Sequence, residues 1–139
     1  MILTILAFLH PQNRYKLTLM ISLFASLQAM PDPIYAKKYA LLQKLKSDFL
    51  KDLLFKGADQ ANVTFILDAI RQRVDINVKN GEGKTALIKA VEANHTEAAR
   101  ALLLAGAQKD LQDKNGATAL TYAEKNQNQR LIQLLKNVR

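Results

Sequence analysis

The chain has 139 residues, of which 49% are apolar and 23% are charged, a composition typical of one globular domain and not of a disordered chain. The absence of cysteine excludes a disulfide framework, a thiolate metal site and a cysteine nucleophile. Twenty basic residues against 12 acidic residues give a net charge of +8, which favours acidic partners.

The first 29 residues differ in composition from the rest of the chain. Apolar stretches at 1–9 and 17–27 flank a polar interruption that contains Arg14 and Lys16, and neither stretch reaches the roughly 20 apolar residues that span a bilayer. Basic residues, an apolar stretch and a cleavage region, here Ala-Ser-Leu-Gln-Ala at 25–29, are the parts of a secretory signal. We therefore predict a signal peptide or apolar N-terminal segment at 1–29 and an exported protein, periplasmic or secreted. A membrane anchor, a cytoplasmic chain and a start codon placed too early remain open.

A helix is predicted after the break at Pro31. Asp32 is a candidate N-cap and Pro33 suits the first turn. The apolar residues spaced to give this helix one apolar side are Tyr35, Leu41, Leu42, Leu45, Phe49 and Leu50. We assign residues 30–47 as an N-terminal capping helix. In the alternative interpretation it binds a partner through Lys37, Lys38, Lys44 and Lys46.

Residues of the stretch 79–107 recur 33 positions later, with Gly83, Thr85 and Leu87 repeated as Gly116, Thr118 and Leu120. A fixed period of this size indicates a repeat protein, in which neighbouring units stack because none can bury its apolar face alone. The period predicts units at about 48–79, 80–112 and 113–139, the first of them degenerate. In the last unit Lys136 replaces an apolar residue, as expected for an end repeat with one face in water.

Each unit is predicted to contain a turn and two short helices. In the middle unit, Gly83 lies in a polar turn and Thr85 is placed to cap the first helix. Asn94 suits the bend between the helices, and Gly106 suits the end of the second.

The sequences Gly-Lys-Thr-Ala-Leu-Ile-Lys-Ala-Val at 83–91 and Leu-Leu-Leu-Ala-Gly-Ala at 102–107, followed by Asp110, resemble an ankyrin repeat. The resemblance covers about residues 48–139. It implies an all-α fold, an ankyrin-repeat solenoid of about three helix-turn-helix repeats with short turn fingers and an N-terminal capping helix. Two departures occur in both copies: Ala86 and Ala119 replace a proline, and Ile88 and Thr121 replace a histidine that usually ties the turn. We therefore expect looser turns.

The resemblance also implies a function, because ankyrin repeats bind proteins through the turn tips and the exposed side of the first helices. It predicts a monomeric, non-enzymatic protein-protein interaction module with one partner of unknown identity. The residues at those positions are Lys79, Glu82, Lys84, Lys89, Glu92, Gln112, Lys114, Asn115, Tyr122, Lys125 and Asn126. We expect Tyr122 to be the anchor, since aromatic residues with a polar tip dominate many interfaces. A narrower version is a chaperone-like or inhibitory partner of an extracytoplasmic enzyme.

Other chemistry has less support in the sequence. Gly83-Lys84-Thr85 resembles the end of a phosphate-binding loop, but that loop needs a glycine where Val78 stands. His95 lies between two helices without a second candidate ligand nearby, which favours a structural role. No cofactor or metal is predicted. Nucleic-acid binding is disfavoured because the lysines are interspersed with acidic residues. A membrane contact is expected only through an uncleaved 1–29.

Overall fold

A computed structural model describes residues 33–137 of the chain, with side chains described from Tyr35. The stacked repeats belong to one compact unit, whose described part begins at Lys44. In the described range the secondary structure is entirely helical: α1 Pro33–Asp59, α2 Val63–Arg71, α3 Ala86–Glu92, α4 Thr96–Leu104, α5 Ala119–Lys125 and α6 Gln129–Asn137. The predicted signal sequence and the predicted Asp32 cap lie outside the described residues.

Helix α1 is one continuous helix of 27 residues. The predicted boundary between a capping helix and the first repeat, at residues 47 and 48, therefore falls inside it. The physical reason is composition, because residues 34–56 contain no glycine or proline and many good helix formers. Gly57, near the end of α1, allows the close approach of α2: a Cβ there would lie 2.8 Å from Ile66 Cγ1 and 3.0 Å from the Asn62 carbonyl oxygen.

The predicted helix caps are confirmed. The Thr85 hydroxyl accepts a 3.3 Å hydrogen bond from the Ile88 amide at the start of α3. Thr118 accepts the equivalent bond from Thr121 at the start of α5, and the Thr121 hydroxyl accepts one in return from the Thr118 amide, also at 3.3 Å. Two threonines one period apart thus begin the first helices of two successive repeats.

The bends between the helices also follow the period. Ala61, Asn94 and Gln127 each follow the first helix of a repeat and have positive φ angles of 55°, 65° and 54°. The bend predicted at Asn94 is confirmed. Alanine and glutamine have no special preference for this region, so packing of the two flanking helices imposes the conformation at the other two positions. Gly106, with φ of 90°, ends α4 as predicted.

The core runs through the stack of repeats. Within repeats, α3 packs on α4 and α5 on α6; between repeats, α3 packs on α5, α2 on α4 and α4 on α6. The largest fully buried apolar side chains are Leu54, Ile66, Leu87, Ile88, Val91, Leu102 and Leu131. This is an all-α repeat solenoid, held together mainly by burial of apolar surface.

The outward face of the third repeat is polar where the equivalent face of the second is buried. Thr121, Glu124 and Lys136 are exposed, whereas the residues one period earlier are Ile88, Val91 and Leu103, all buried. This supports the prediction that Lys136 lies on a water-exposed face of the last repeat, and Thr121 and Glu124 lie in the same kind of exposed position. None of the helices in residues 33–137 combines the length and the apolar character needed to cross a bilayer.

Candidate functional site

Two turns, which we call the first finger (79–84) and the second finger (112–117), project ahead of α3 and α5. In the first finger, Asn80 Oδ1 accepts hydrogen bonds from the amides of Glu82 (2.9 Å) and Lys84 (3.0 Å). In the second, Asp113 Oδ1 accepts them from the amides of Asn115 (2.8 Å) and Ala117 (3.0 Å). The sequence predicted looser turns because the histidine is missing. Instead, one side chain in each finger, Asn80 or Asp113, holds the turn by bonding two of its backbone amides.

The two fingers are bonded to each other. The Lys114 amide donates to the Glu82 carbonyl oxygen at 3.2 Å, and Lys79 Nζ donates to the Gln112 carbonyl oxygen at 2.8 Å. Gly83, with φ of 76°, lies at the closest approach, where a Cβ would come within 2.9 Å of the Lys114 nitrogen. The separation of the fingers is therefore fixed by backbone contacts.

Lys84, the last residue of the first finger, is the centre of an ion-pair cluster. Its Nζ lies 2.8 and 3.0 Å from the two carboxylate oxygens of Glu92 and 3.1 Å from Glu82 Oε2. The same atom is 5.4 Å from the centre of the Tyr122 ring, a cation–π distance. Only 13% of the Lys84 side chain is exposed. The bonds to Glu92 raise the pKa of Lys84 above its ordinary value of 10.5, against an opposing effect of burial.

Tyr122 and Asp113 form the second half of this cluster. The Tyr122 hydroxyl donates a 2.7 Å hydrogen bond to Asp113 Oδ2. This bond lowers the pKa of Asp113 and raises the pKa of Tyr122, because it favours the charged carboxylate and the neutral phenol. The Tyr122 ring packs against the core. The polar tip that made Tyr122 an attractive anchor is thus bonded within the protein.

Further bonds connect α3 to both neighbouring repeats. Lys89 Nζ lies 3.2 Å from Asp59 Oδ1 in the first repeat and 3.8 Å from Glu92 Oε2. Asn126 Nδ2 donates to the carbonyl oxygens of Val91 and Glu92 at the end of α3, at 3.1 Å each. The orphan carbonyl groups of that helix end are satisfied by a side chain from the next repeat.

The predicted binding residues therefore divide into two groups. The half-buried group, with partners inside the protein, consists of Lys84, Lys89, Glu92, Tyr122 and Asn126. The exposed group, on the fingers and at the end of α5, consists of Lys79, Glu82, Gln112, Lys114, Asn115 and Lys125. The half-buried residues fix the conformation of this surface through their bonds, and the exposed residues are accessible to a partner.

Sequence reasoning missed three residues that organise this surface: Asn80, Asp113 and Asp59. Asn80 and Asp113 occupy the same position one period apart, and both precede polar turn residues. The signal was therefore available in the repeat, since asparagine and aspartate share the ability to bond amides two residues on. The pairing of Asp59 with Lys89 crosses 30 residues and left no such signal.

The exposed residues surround a hollow of about 360 Å³ between the fingers, lined by Gly81, Glu82, Lys84, Lys114 and Asn115. Within residues 33–137, the ammonium groups of Lys114 and Lys125 form neither an ion pair nor a hydrogen bond, and that of Lys79 pairs with no carboxylate. Both acidic members of the predicted set, Glu82 and Glu92, bond to Lys84. This surface therefore carries uncompensated positive charge.

His95 is bonded to the backbone. Its Nε2 donates a 2.9 Å hydrogen bond to the carbonyl oxygen of Asp59 at the end of α1. Across the part of the chain that the structure describes, no cluster of three or more histidine and acidic side chains is placed to hold a metal ion. The hydrogen bond to Asp59 is a structural contact of the kind that the position of His95 between two helices indicated.

Comparison with known proteins gives two similarities. The family model described as ankyrin repeats (3 copies) matches residues 39–138, more than half of the chain. The chain is also similar to the Caenorhabditis elegans protein "Ankyrin repeat and KH domain-containing protein mask-1", with 33% identity over 92 residues. That match covers 66% of the chain but only 4% of the length of the relative.

Proposed function

The chain belongs to the ankyrin repeat family, and from this premise we propose that it is a non-enzymatic module that binds one acidic protein segment across its two fingers. Ankyrin repeats are protein-protein interaction domains, and the exposed group defined above lies where such domains contact their partners.

One observation carries the proposal: Lys79, Lys114 and Lys125 are exposed and have no carboxylate partner in the described part of the chain. An acidic segment lying across the fingers compensates this charge without displacing an existing ion pair. Complementary charge accelerates association and excludes wrong partners more than it adds raw affinity. The small area offered by three repeats fits a partner of modest size.

The fixed geometry of the fingers supports the same function. Asn80 and Asp113 tie the turns, and the contacts between Glu82 and Lys114 join them. A surface already held in its binding conformation loses little conformational entropy when a partner binds. The Lys84 cluster then acts as a support beneath the binding surface.

The nucleotide-binding alternative, based on Gly83-Lys84-Thr85, loses support from the same geometry. The Lys84 ammonium is bonded to Glu92 and Glu82, and the Thr85 side chain is buried as a helix cap. A phosphate would have to displace two carboxylates from Lys84. We therefore propose that the protein binds its partner without catalysing a reaction.

We also propose that the protein is exported. The support is the arrangement of Arg14 and Lys16 before an apolar stretch and a candidate cleavage region at 25–29, all outside the described residues. The test is the intact mass of the protein in fractions of its own cells. A chain that begins at Met30 outside the cytoplasm supports export, whereas a full-length chain in the membrane fraction indicates an anchor. A full-length chain in the cytoplasm contradicts export.

The binding proposal is tested by affinity capture with charge-reversed variants. The test variant changes Lys79, Lys114 and Lys125 to Glu, and the control changes Arg73, Arg130 and Lys136, which are exposed outside the fingers, to Glu. Both variants alter net charge equally. We expect a captured protein to be lost with the test variant and kept with the control. Equal retention of every captured protein by both variants contradicts the proposed surface.

A further inference from the structure

The fingers contain two Asn-Gly sequences in different positions of the turn. Asn80-Gly81 places its asparagine at the repeat position of Asp113, whereas Asn115-Gly116 places its asparagine at the repeat position of Glu82. The Asn80 side-chain oxygen is held by two backbone amides. The Asn115 side chain is exposed and makes no hydrogen bond within residues 33–137.

We propose that Asn115 is a site of spontaneous deamidation and that Asn80, with the same neighbour in sequence, is protected. In this reaction the backbone nitrogen of Gly116 attacks the side-chain carbonyl carbon of Asn115. A new carbon–nitrogen bond closes a cyclic imide, the side-chain amide bond breaks, and ammonia leaves with the proton from the Gly116 amide. Water then opens the ring to aspartate or isoaspartate. Asparagine is among the chemically labile residues of proteins.

The local geometry distinguishes the two sites. A following glycine removes steric hindrance in both cases, and neither Gly81 nor Gly116 has an atom within 4 Å of a notional Cβ. Attack at Asn115 requires opening one bond, the 3.1 Å bond from the Gly116 amide to the Asp113 carbonyl oxygen. Attack at Asn80 requires rotation of a side chain that accepts two bonds, from Glu82 and Lys84. The Asn115 side chain is free to rotate.

The product changes the charge of the hollow between the fingers. Deamidation places a new carboxylate next to Lys114, which has no carboxylate partner among residues 33–137. Isoaspartate also lengthens the backbone of the second finger. If the proposed function holds, the modified protein binds an acidic partner more weakly; the modification itself does not depend on that function.

The test is incubation of the full chain at neutral to mildly alkaline pH and body temperature, followed by trypsin digestion and mass spectrometry. Cleavage after Lys79, Lys84, Lys114 and Lys125 places the two sites in separate peptides, 80–84 and 115–125, each with one asparagine. We expect the mass gain of an amide-to-acid change, and methylation by an isoaspartyl methyltransferase, to accumulate in peptide 115–125 and to lag in peptide 80–84. Asn115→Gln should abolish the change in its peptide.

A parallel sample in concentrated urea separates structure from sequence. When the chain is unfolded, the two peptides should change at similar rates, since the protection of Asn80 comes from folded-state hydrogen bonds. Equal rates in the folded protein, or faster change at Asn80, would overturn the proposal.

Discussion

The Tyr122 hydroxyl donates a 2.7 Å hydrogen bond to the carboxylate of Asp113, and the same carboxylate holds the amides of Asn115 and Ala117. One side chain therefore fixes the second finger internally and joins it to helix α5. Lys84, 5.4 Å from the Tyr122 ring, extends this connection to the first finger and to Glu92 on α3. The stability of the surface thus depends on groups whose ionisation can be followed with pH.

Tyr122→Phe should lower the free energy of unfolding at neutral pH, because it leaves an Asp113 carboxylate oxygen without its tyrosine donor. The difference in unfolding free energy between Tyr122→Phe and the unchanged protein should become smaller at acid pH and at alkaline pH. The lowered pKa of Asp113 contributes stability above its ordinary value of 3.8, and this contribution is lost as pH falls through the lowered pKa. The raised pKa of Tyr122 contributes stability below 10.0, which is lost as pH rises through the raised value.

Urea denaturation over a pH series measures this effect. Tyr35→Phe, which removes an exposed hydroxyl, serves as the control and should leave the curves unchanged. If Tyr122→Phe lowered the free energy of unfolding by the same amount from acid to alkaline pH, the result would contradict the hydrogen bond between Tyr122 and Asp113.

Lys84→Met should destabilise the protein by about 1 kcal/mol at neutral pH, the upper end of the range for exposed ion pairs, because Lys84 is largely covered while its carboxylate partners Glu82 and Glu92 are partly exposed. The pKa of Lys84 is raised mainly by its bonds to Glu92. The ion pairs of Lys84 therefore make their full contribution to the free energy of unfolding below pH 10.5. This contribution should decline as pH rises above 10.5 toward the raised value. Lys114→Met is the matched control, because its ammonium has no ion pair among residues 33–137, and it should change stability little. Equal effects of the two substitutions in thermal denaturation would argue against the cluster.

Gly83→Ala should destabilise the protein more than Gly116→Ala. Both glycines have φ of 76°, and a Cβ in this conformation costs about 1 to 2 kcal/mol. At Gly83 the Cβ also meets the Lys114 nitrogen at 2.9 Å, whereas at Gly116 it meets nothing within 4 Å. The difference between the variants therefore reports the contact between the fingers, and Gly81→Ala provides the open-space control. Identical melting temperatures for the Gly83 and Gly116 variants would show that the fingers do not touch.

Leu103→Ala and Leu104→Ala compare two adjacent leucines of α4. Leu103 is 6% exposed and Leu104 is 82% exposed. Loss of the buried side chain should cost about 2 to 5 kcal/mol, a severe fraction of the stability of so small a stack, whereas loss of the exposed one should cost almost nothing. Chemical denaturation of the two variants checks the register of the helix directly. A reversal of the order would mean that α4 is rotated about its axis.

The period of 33 residues explains why so much of the fold was visible in the sequence. Thr85, Asn94 and Gly106 act through local hydrogen bonds and local backbone preferences, and the period shows which positions of the other repeats are equivalent to theirs. It could not show that α1 continues without a break from Pro33 to Asp59, because that depends on the absence of a helix terminator. The period does place Ala61 and Gln127 at the bend position of Asn94, but neither residue type indicates the positive φ that packing imposes there.

The candidate surface was less predictable. Repeat position identified which residues face the same side, but not which of them bond to one another. The bonds of Lys84 with Glu92 and of Tyr122 with Asp113 join a finger to a helix, and sequence spacing alone does not reveal such pairs. The aromatic ring and polar tip of Tyr122 indicate an anchor for a partner, whereas the structure uses its hydroxyl within the protein.

The most direct test of the proposed surface is hydrogen–deuterium exchange of the full chain with and without a partner recovered by the charge-reversal capture. We predict new protection at 79–84 and 112–117, with exchange in α2, α4 and α6 unchanged. Protection confined to α2, α4 or α6, with the fingers exchanging as in the free protein, would contradict binding through the fingers.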